Sequence, residues 1–415
     1  MKSGLVLLPE PVLYTNAVTL KNIWARMAEG ENIDGLRARL SGYDQGALDR
    51  SDALVQAADG SDINQIWGEI QEILSVWNSQ RDRLVDYLTF PVTEIIDYVG
   101  VPNEVDFERS SEFGKPVAIR GGAFYQRGYD FDFFDIAIRY TWLFLLSATQ
   151  AQIDSYTNQA LEADNRLIFK KVMSTLFNSA NTYGVADQNI PTTVVKLYNG
   201  DGEVPPAYKN ITFSGSHSHY ATSYGLPSAI QNTAIQPATL QDIEDDFYNH
   251  GYTLQNGYKL VLWVNRQEGL HIRTFKVANG ARYDFIPSGG VGGGIYQPAS
   301  LGIVGRPDGS GQSGELGSYG PFSVIEEPYI PAGYLCALVS GGQLNLMNPI
   351  GFREHANASA RGLQLVAGDN STYPLREAFY RRGFGTGIRQ RGGGYVVQLV
   401  NSTTTTYVVP TAYNE

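Results

Sequence analysis

The stretch "ATQAQIDSYTNQALEADNRLIFKKVMSTLFN", Ala148 to Asn178, contains neither glycine nor proline. At 1.5 Å rise per residue a helix of this length runs roughly 45 Å, more than a compact domain needs for its own core. Ile153, Tyr156, Ala160, Ala163 and Leu167 form one apolar stripe, and Leu161, Ile168, Val172 and Leu176 form a second beside it. The spacing predicts a rod over 148–178, a spine on which other elements lean.

Upstream of the rod the character changes. The segment "EVDFERSSEFGKPVAIRGGAFYQRGYDFDFF", residues 104 to 135, mixes β-formers with Gly114, Pro116, Gly121 and Gly122, and from Tyr129 to Phe133 aromatic residues alternate with aspartates. It reads as an elongated hairpin. Arg109, Lys115, Arg120 and Arg127 lie along it, so at least one face is expected to be exposed, and a hairpin with little core of its own needs a partner. Residues 18 to 90 read as helical. Ile63, Ile66, Ile70, Ile73 and Trp77 step by three and four, Leu84 and Tyr87 resume the series, Ser61 or Asp62 can cap the start and Pro91 ends it. This stripe suits packing within its own domain or docking on a neighbouring copy.

Downstream, strand-like runs such as "TTVVKLY" and "YKLVLWVN" follow, interrupted by the helix "ATLQDIEDDFYNHG" with Thr239 as its cap and Gly251 as its stop. Residues 288 to 320 are glycine-rich and read as surface loop. Strands return in "SVIEEPYIPAGYLCALV", and the glycine- and arginine-rich "FYRRGFGTGIRQRGGGYVVQL", Phe379 to Leu399, reads as two strands joined by a turn at Gly392 to Gly394. It lacks the third glycine and the following helix of a dinucleotide-binding turn, and the lysine of a phosphate loop.

Composition narrows the function. The 415 residues carry a formal charge of −11, the wrong sign for a protein that grips nucleic acid by neutralising phosphates. The single cysteine, Cys336, excludes an internal disulfide framework and reads as a small buried hydrophobe. No signal peptide opens the chain and no apolar run is long enough for a membrane span. His217 and His219, two apart on a strand, share a face and are the candidate metal pair, but no cysteine or carboxylate at ligand spacing accompanies them, and no metal or cofactor is expected. Glu244, Asp245 and Asp246 could suggest glycoside hydrolysis, yet adjacent helical positions do not face each other, and a solvated helix face accounts for them. His250, His271 and His355 stand in no nucleophile context. No catalytic residue is expected.

The order of parts, together with "LQDIEDDFYNHGYTLQNGYKLVLWVNRQEGLHIRTF" (240 to 275) and "NPIGFREHANASARGLQLVAGDNSTYPLREAFYRRGFGTGIRQRGGGYVVQLV" (348 to 400), resembles the major capsid proteins of tailed double-stranded DNA bacteriophages, with their α+β, Hong Kong 97-type fold. The resemblance implies a largely helical N-terminal arm over 1–96, an extended hairpin loop over 97–147, a peripheral domain with its spine helix over 148–235, an axial domain over 236–345, and return strands of the peripheral domain over 346–415. It implies self-assembly through hexamers and pentamers into an icosahedral shell around double-stranded DNA without sequence-specific binding, alongside portal, scaffold or decoration proteins, after assembly in the host cytoplasm. The expected contacts between subunits are Arg109, Lys115, Arg120, Arg127 and Tyr129 on the hairpin and Ile66, Ile70 and Trp77 on the arm. Some members of the fold join subunits through lysine and asparagine; Lys115 is the lysine to examine, and non-covalent interlocking is the expectation. An encapsulin-type compartment shares the fold and is the alternative, with a β-rich carbohydrate hydrolase behind it.

Overall fold

The computed structural model describes residues 63–79, 83–101, 107–110, 112–115, 118, 124–141, 144, 147–187, 190–224, 235–287, 315–368, 375–401 and 406–414. The helical arm expected before residue 63, with its capping Ser61 or Asp62, and residues 288–314 of the expected loop 288–320 lie outside them; the end of that expected loop, Glu315–Tyr319, is a strand instead. The elements run α1 (Ile63–Ser79), α2 (Arg83–Leu88), β1 (Thr89–Val92), β2 (Ile96–Gly100), β3 (Phe124–Gly128), β4 (Asp132–Thr141), α3 (Gln150–Phe177), β5 (Thr182–Asp187), β6 (Ile190–Val194), β7 (Tyr220–Tyr224) and α4 (Pro237–Asn249). There follow β8 (Lys259–Val264), α5 (Arg266–Ile272), β9 (Phe285–Pro287), β10 (Glu315–Tyr319), β11 (Phe322–Glu326), β12 (Tyr334–Ser340), β13 (Ile350–Glu354), β14 (Leu363–Ala367), β15 (Leu375–Ile388) and β16 (Gly394–Val400). No helix among the described residues is long and apolar enough to cross a membrane.

The chain divides into two compact units, one of residues 1–80, 134–164 and 363–382, the other of 81–133, 165–362 and 383–415. In the first, the apolar face of α1 meets the first half of α3. Ile66, Ile70 and Leu74 are buried with Ile153, Ala160 and Leu161 and with Leu363 and Tyr380 of the strands, and Trp77 packs at the edge. Thr149 begins α3, and the Gln152 side chain accepts a hydrogen bond from the Thr149 backbone N–H at 3.1 Å, satisfying a donor that the helix itself leaves orphaned. α1 runs to Ser79, α2 carries the predicted helical stretch on to Leu88, and Thr89 and Phe90 already belong to strand β1. Just before Ser79, the Asn78 amide donates to the Leu363 carbonyl at 2.9 Å and accepts from the Leu363 N–H at 2.7 Å, which ties the end of α1 to β14. β14 pairs antiparallel with the first part of β15, from Leu363 against Arg382 to Ala367 against Ala378.

In the second unit α2 buries Val85 and Leu88, while the expected Tyr87 is only half-buried. β1 runs parallel to β13, with Pro91 tolerated because β1 is the outer strand of that pair. β13 in turn pairs antiparallel with the last part of β15, Ile350 against Ile388 to Glu354 against Phe384. Here the alternating glycines of "GFGTG" acquire a reason. A Cβ on Gly385 would lie 1.7 Å from the Asp130 carbonyl oxygen, and one on Gly383 2.5 Å from the Phe133 ring. One face of the strand is kept bare so that residues 128–133 can lie on it, fixed by the Thr386 N–H donating to Asp130 Oδ1 at 2.5 Å and the Asp130 N–H donating to the Thr386 carbonyl at 3.2 Å.

The main core of this unit is a seven-stranded mixed sheet in the order β7-β16-β12-β8-β11-β10-β9. β8, β12 and β16 are buried nearly throughout. Helix α4 covers it with Leu240, Ile243 and Phe247, packed on Leu260, Leu262, Val264 and Leu335. Its start differs from the expectation. Pro237 occupies the first turn after Gln236, and Thr239 sits buried inside the helix with its hydroxyl 2.6 Å from Ser223 Oγ, whereas Gly251 ends it in the left-handed conformation, φ +81°, as expected. The turn of the Phe379–Leu399 motif does lie between two strands, but they do not pair with each other: β15 belongs with β13, and β16 with β12 and β7.

Candidate functional site

Antiparallel β2 and β3, Ile96 against Gly128 to Gly100 against Phe124, make the base of the expected hairpin. The first paired strand lies earlier than the predicted 104–135, and residues 128–133, expected to end the hairpin, lie on β15 instead. Four aromatic side chains among the described residues of this segment are bare. Phe107 and Phe113 have relative exposures of 105% and 93%, Phe124 69% and Tyr98 59%. Arg109 and Lys115 are exposed in the same stretch, and Arg120 lies outside the described residues. Arg127 and Tyr129 are placed differently from the other predicted contacts. Arg127 is buried and forms a two-pronged ion pair with Glu203, Nη1 to Oε2 at 2.9 Å and Nη2 to Oε1 at 2.5 Å; Tyr129 has no exposed surface and lies over Gly351. On the arm, Ile66 and Ile70 are buried within their own unit, and the Trp77 indole donates to Asp164 at 2.9 Å.

The four arginines of the Phe379–Leu399 motif all pair with carboxylates, Arg382 and Arg391 buried and Arg381 exposed. Arg382 bonds Asp164 at 2.6 Å, Arg389 bonds Asp97 at 2.6 Å, Arg381 faces Asp135 at 3.7 Å, and the buried Arg391 bonds Asp201 at 2.8 Å and Glu203 at 3.1 Å. Arg391 also donates to the carbonyls of Lys196 and Leu197 at 2.7 and 3.2 Å, and its guanidinium lies 4.9 Å from the centre of the Tyr198 ring. Burial opposes the charge on Asp201, but the hydrogen bonds and charge of Arg391 outweigh it and hold that carboxyl below its usual value.

A second buried polar group was half visible in the sequence. His217 and His219 lead into β7, and α4 ends with Asp246 and His250 one turn apart, so all four side chains converge. The three Nε2 atoms stand 2.9 Å (His217–His219), 3.0 Å (His217–His250) and 3.1 Å (His219–His250) apart. The Asp246 carboxylate lies 3.5 Å from His217, 3.3 Å from His219 and 4.0 Å from His250. Asp246 therefore faces inward, contrary to the expected solvated face; Asp245 keeps that role, and it shares Arg282 at 3.0 Å with the half-buried Glu244 at 3.5 Å, which also accepts from the Tyr283 hydroxyl. Phe213 stacks on His250 at 4.1 Å and Tyr395 closes over His219 at 5.2 Å. In this apolar shell burial pushes His219 well below its usual value and His250 down to about 3, so the rings are neutral, and it raises Asp246 to about 7. The spacing "HSH" alone does not complete a ligand set; the signal that completes it is the helical i, i+4 pair in "DFYNH" about thirty residues on. Cys336, by contrast, is buried in β12 as expected, and burial pushes its thiol up.

A solved structure from Mycobacterium phage Patience is 36% identical to this chain, covers 87% of it and 94% of its own length, and superposes with a TM-score of 0.65. The chain belongs to the major capsid proteins of tailed bacteriophages, with the Hong Kong 97-type fold. This capsid protein forms an icosahedral shell, and its role is structural, not enzymatic. Further off lie the mature capsid of bacteriophage PhiM1, 10% identical over 78% of this chain and 89% of its own with a TM-score of 0.47, and an encapsulin from Synechococcus elongatus PCC 7942, 12% identical over 78% and 90% with a TM-score of 0.42. No family model matches the capsid protein, and no curated protein matches it.

Proposed function

We propose that the capsid protein assembles through hexamers and pentamers in the host cytoplasm, around double-stranded phage DNA, and that the ribbon beyond β2 and β3 is laid on a neighbouring copy. The observation that carries this reading is the cluster of bare aromatics, Tyr98, Phe107, Phe113 and Phe124, on a ribbon with almost no core of its own. Burying each phenylalanine side chain against a neighbour is worth about 1.5–3 kcal/mol, a gain repeated at every copy of the contact. Arg109 and Lys115, exposed between these rings, would supply the polar rim, with Arg120 as a further member; Arg127 and Tyr129 would act one step removed, by anchoring the base of the ribbon. Likewise Ile66, Ile70 and Trp77 would serve assembly by holding α1 to the spine. Peripheral roles for 148–235 and 346–415 and an axial role for 236–345 fit this picture. So does the net charge of −11, which weakens adhesion of the shell to the genome during packaging and release. Portal, scaffold and decoration proteins would complete the particle.

Replacing Phe107 and Phe113 together by aspartate tests the ribbon. Negative-stain microscopy should show shells for the unaltered chain and only capsomers or monomers for the variant, with an unchanged far-ultraviolet circular dichroism spectrum. Shells at the unaltered yield would refute the assigned contact.

A further inference from the structure

We propose that His217, His219, His250 and Asp246 hold one divalent transition-metal ion of the zinc class, in a tetrahedral structural site that ties the loop before β7 to the end of α4. The four donor atoms lie within 4.8 Å of one another. A zinc ion at its usual bond lengths of about 2.0–2.1 Å sets neighbouring nitrogens about 3.3 Å apart, and the three Nε2 separations of 2.9 to 3.1 Å describe such a face, with the carboxylate at 3.3 to 4.0 Å as the fourth corner.

Hydrogen bonds alone leave this arrangement incomplete. His219 Nδ1 lies 2.6 Å from the Gly394 carbonyl, an acceptor only, so Nδ1 carries the proton and Nε2 presents a bare lone pair to the cluster. That contact is also the outer support typical of a metal-bound imidazole, and here it comes from the first residue of β16. His217 and His250 can each direct an N–H at His219, but a neutral ring that donates from Nε2 has no lone pair there, so the 3.0 Å edge between those two rings holds no hydrogen bond. Asp246 Oδ2, buried and without a hydrogen-bond partner, faces the same His219 lone pair at 3.3 Å. Acceptor meets acceptor in an aromatic shell. A single cation satisfies all four at once, and three nitrogens with one oxygen in a compact tetrahedron suit zinc better than the square arrangement that copper prefers. Four protein ligands complete the tetrahedron, as in a structural rather than a catalytic zinc site.

Shells purified without chelator from zinc-supplemented cultures should contain about one zinc per chain by plasma mass spectrometry. Metal-free protein titrated with Co2+ should develop the intense visible absorption of a tetrahedral cobalt centre. The variants His217→Asn and Asp246→Asn, at the more open edge of the cluster, should bind Co2+ at least tenfold more weakly while keeping their circular dichroism spectrum. Substoichiometric zinc together with a featureless cobalt titration of the unaltered chain would overturn the site and leave a proton on Asp246 in the cation's place. Because both measurements are made on the unaltered protein, a misfolded variant does not shelter the proposal; equal cobalt affinity in folded variants would also overturn it.

Discussion

Arg391 and His219 are both buried completely, and both bond to the same short run of chain. Arg391 donates to the carbonyls of Lys196 and Leu197, and the His219 N–H donates to the carbonyl of Tyr198. Their surroundings solve opposite problems. Around Arg391 two guanidiniums, those of Arg391 and Arg127, face two carboxylates, those of Asp201 and Glu203, so formal charges cancel and every donor group of Arg391 meets an acceptor, with only Arg127 Nε left over. Around His219 three rings and one carboxylate turn their ligand atoms to a common point, and hydrogen bonds among them leave acceptors unmatched. A buried polar group that is complete in itself serves the fold, whereas one complete only with an added cation is a binding site. Burial and residue type do not separate the two; the balance of donors against acceptors does.

The largest effect should come from unbalancing the complete cluster. Arg391→Met leaves Asp201 and Glu203 facing each other with only Arg127 between them, and removing one partner of a buried ion pair costs about 3–5 kcal/mol. The expected outcome is loss of soluble protein, or a denaturant midpoint far below that of the unaltered chain; a midpoint within error of it would show that the cluster contributes nothing. A smaller effect is expected at the histidines. Withdrawing the ion with a chelator should destabilise the chain by about 2.7 kcal/mol if the free metal had stood at a hundredfold excess over its dissociation constant, and adding zinc should restore the melting temperature. Asp246→Asn should abolish this response to chelator while leaving the Arg391 cluster untouched. A chelator response that survives in the variant would mean the ion is bound elsewhere.

The contrast also explains what the sequence disclosed. The spine was legible because a run without glycine or proline carries its own periodicity, and α3 spans Gln150–Phe177. Within it the buried Phe169, Met173 and Phe177 were not singled out, since a helix covered on several sides has no single apolar stripe. The pairing of β4 with β15 rather than with the hairpin was hidden. It depends on the bare glycine face at 383, 385 and 387, whose meaning appears only when residues 128–133 lie on it. The same holds for both polar clusters. "HSH" and "DFYNH" each carry metal-ligand spacing, but nothing local says that a strand entry and a helix exit meet. Arg391 likewise reads as a surface residue in a glycine turn until Asp201, 190 residues earlier, is brought to it.

Lys196 shows a third way to accommodate a buried charge, and supplies the mildest test. Its ammonium is buried, and burial lowers it to about 8; the charge of Asp130 opposes this and that of Lys171 reinforces it. The unfolded chain holds this proton to its ordinary value near 10.5, so between about pH 8 and pH 10.5 the unfolded state binds more protons than the folded one and stability rises with pH. Below pH 8 both states are protonated, and the cost of burying the charge is constant. Lys196→Met, similar in length and without the charge, should remove this rise, worth on the order of 1–2 kcal/mol after local relaxation. The check is the difference in melting temperature between pH 7.5 and pH 10, compared for the two proteins, which share every other titrating group. If both respond equally to pH, Lys196 keeps its proton when folded, and the charge of Asp130 outweighs the burial that opposes it.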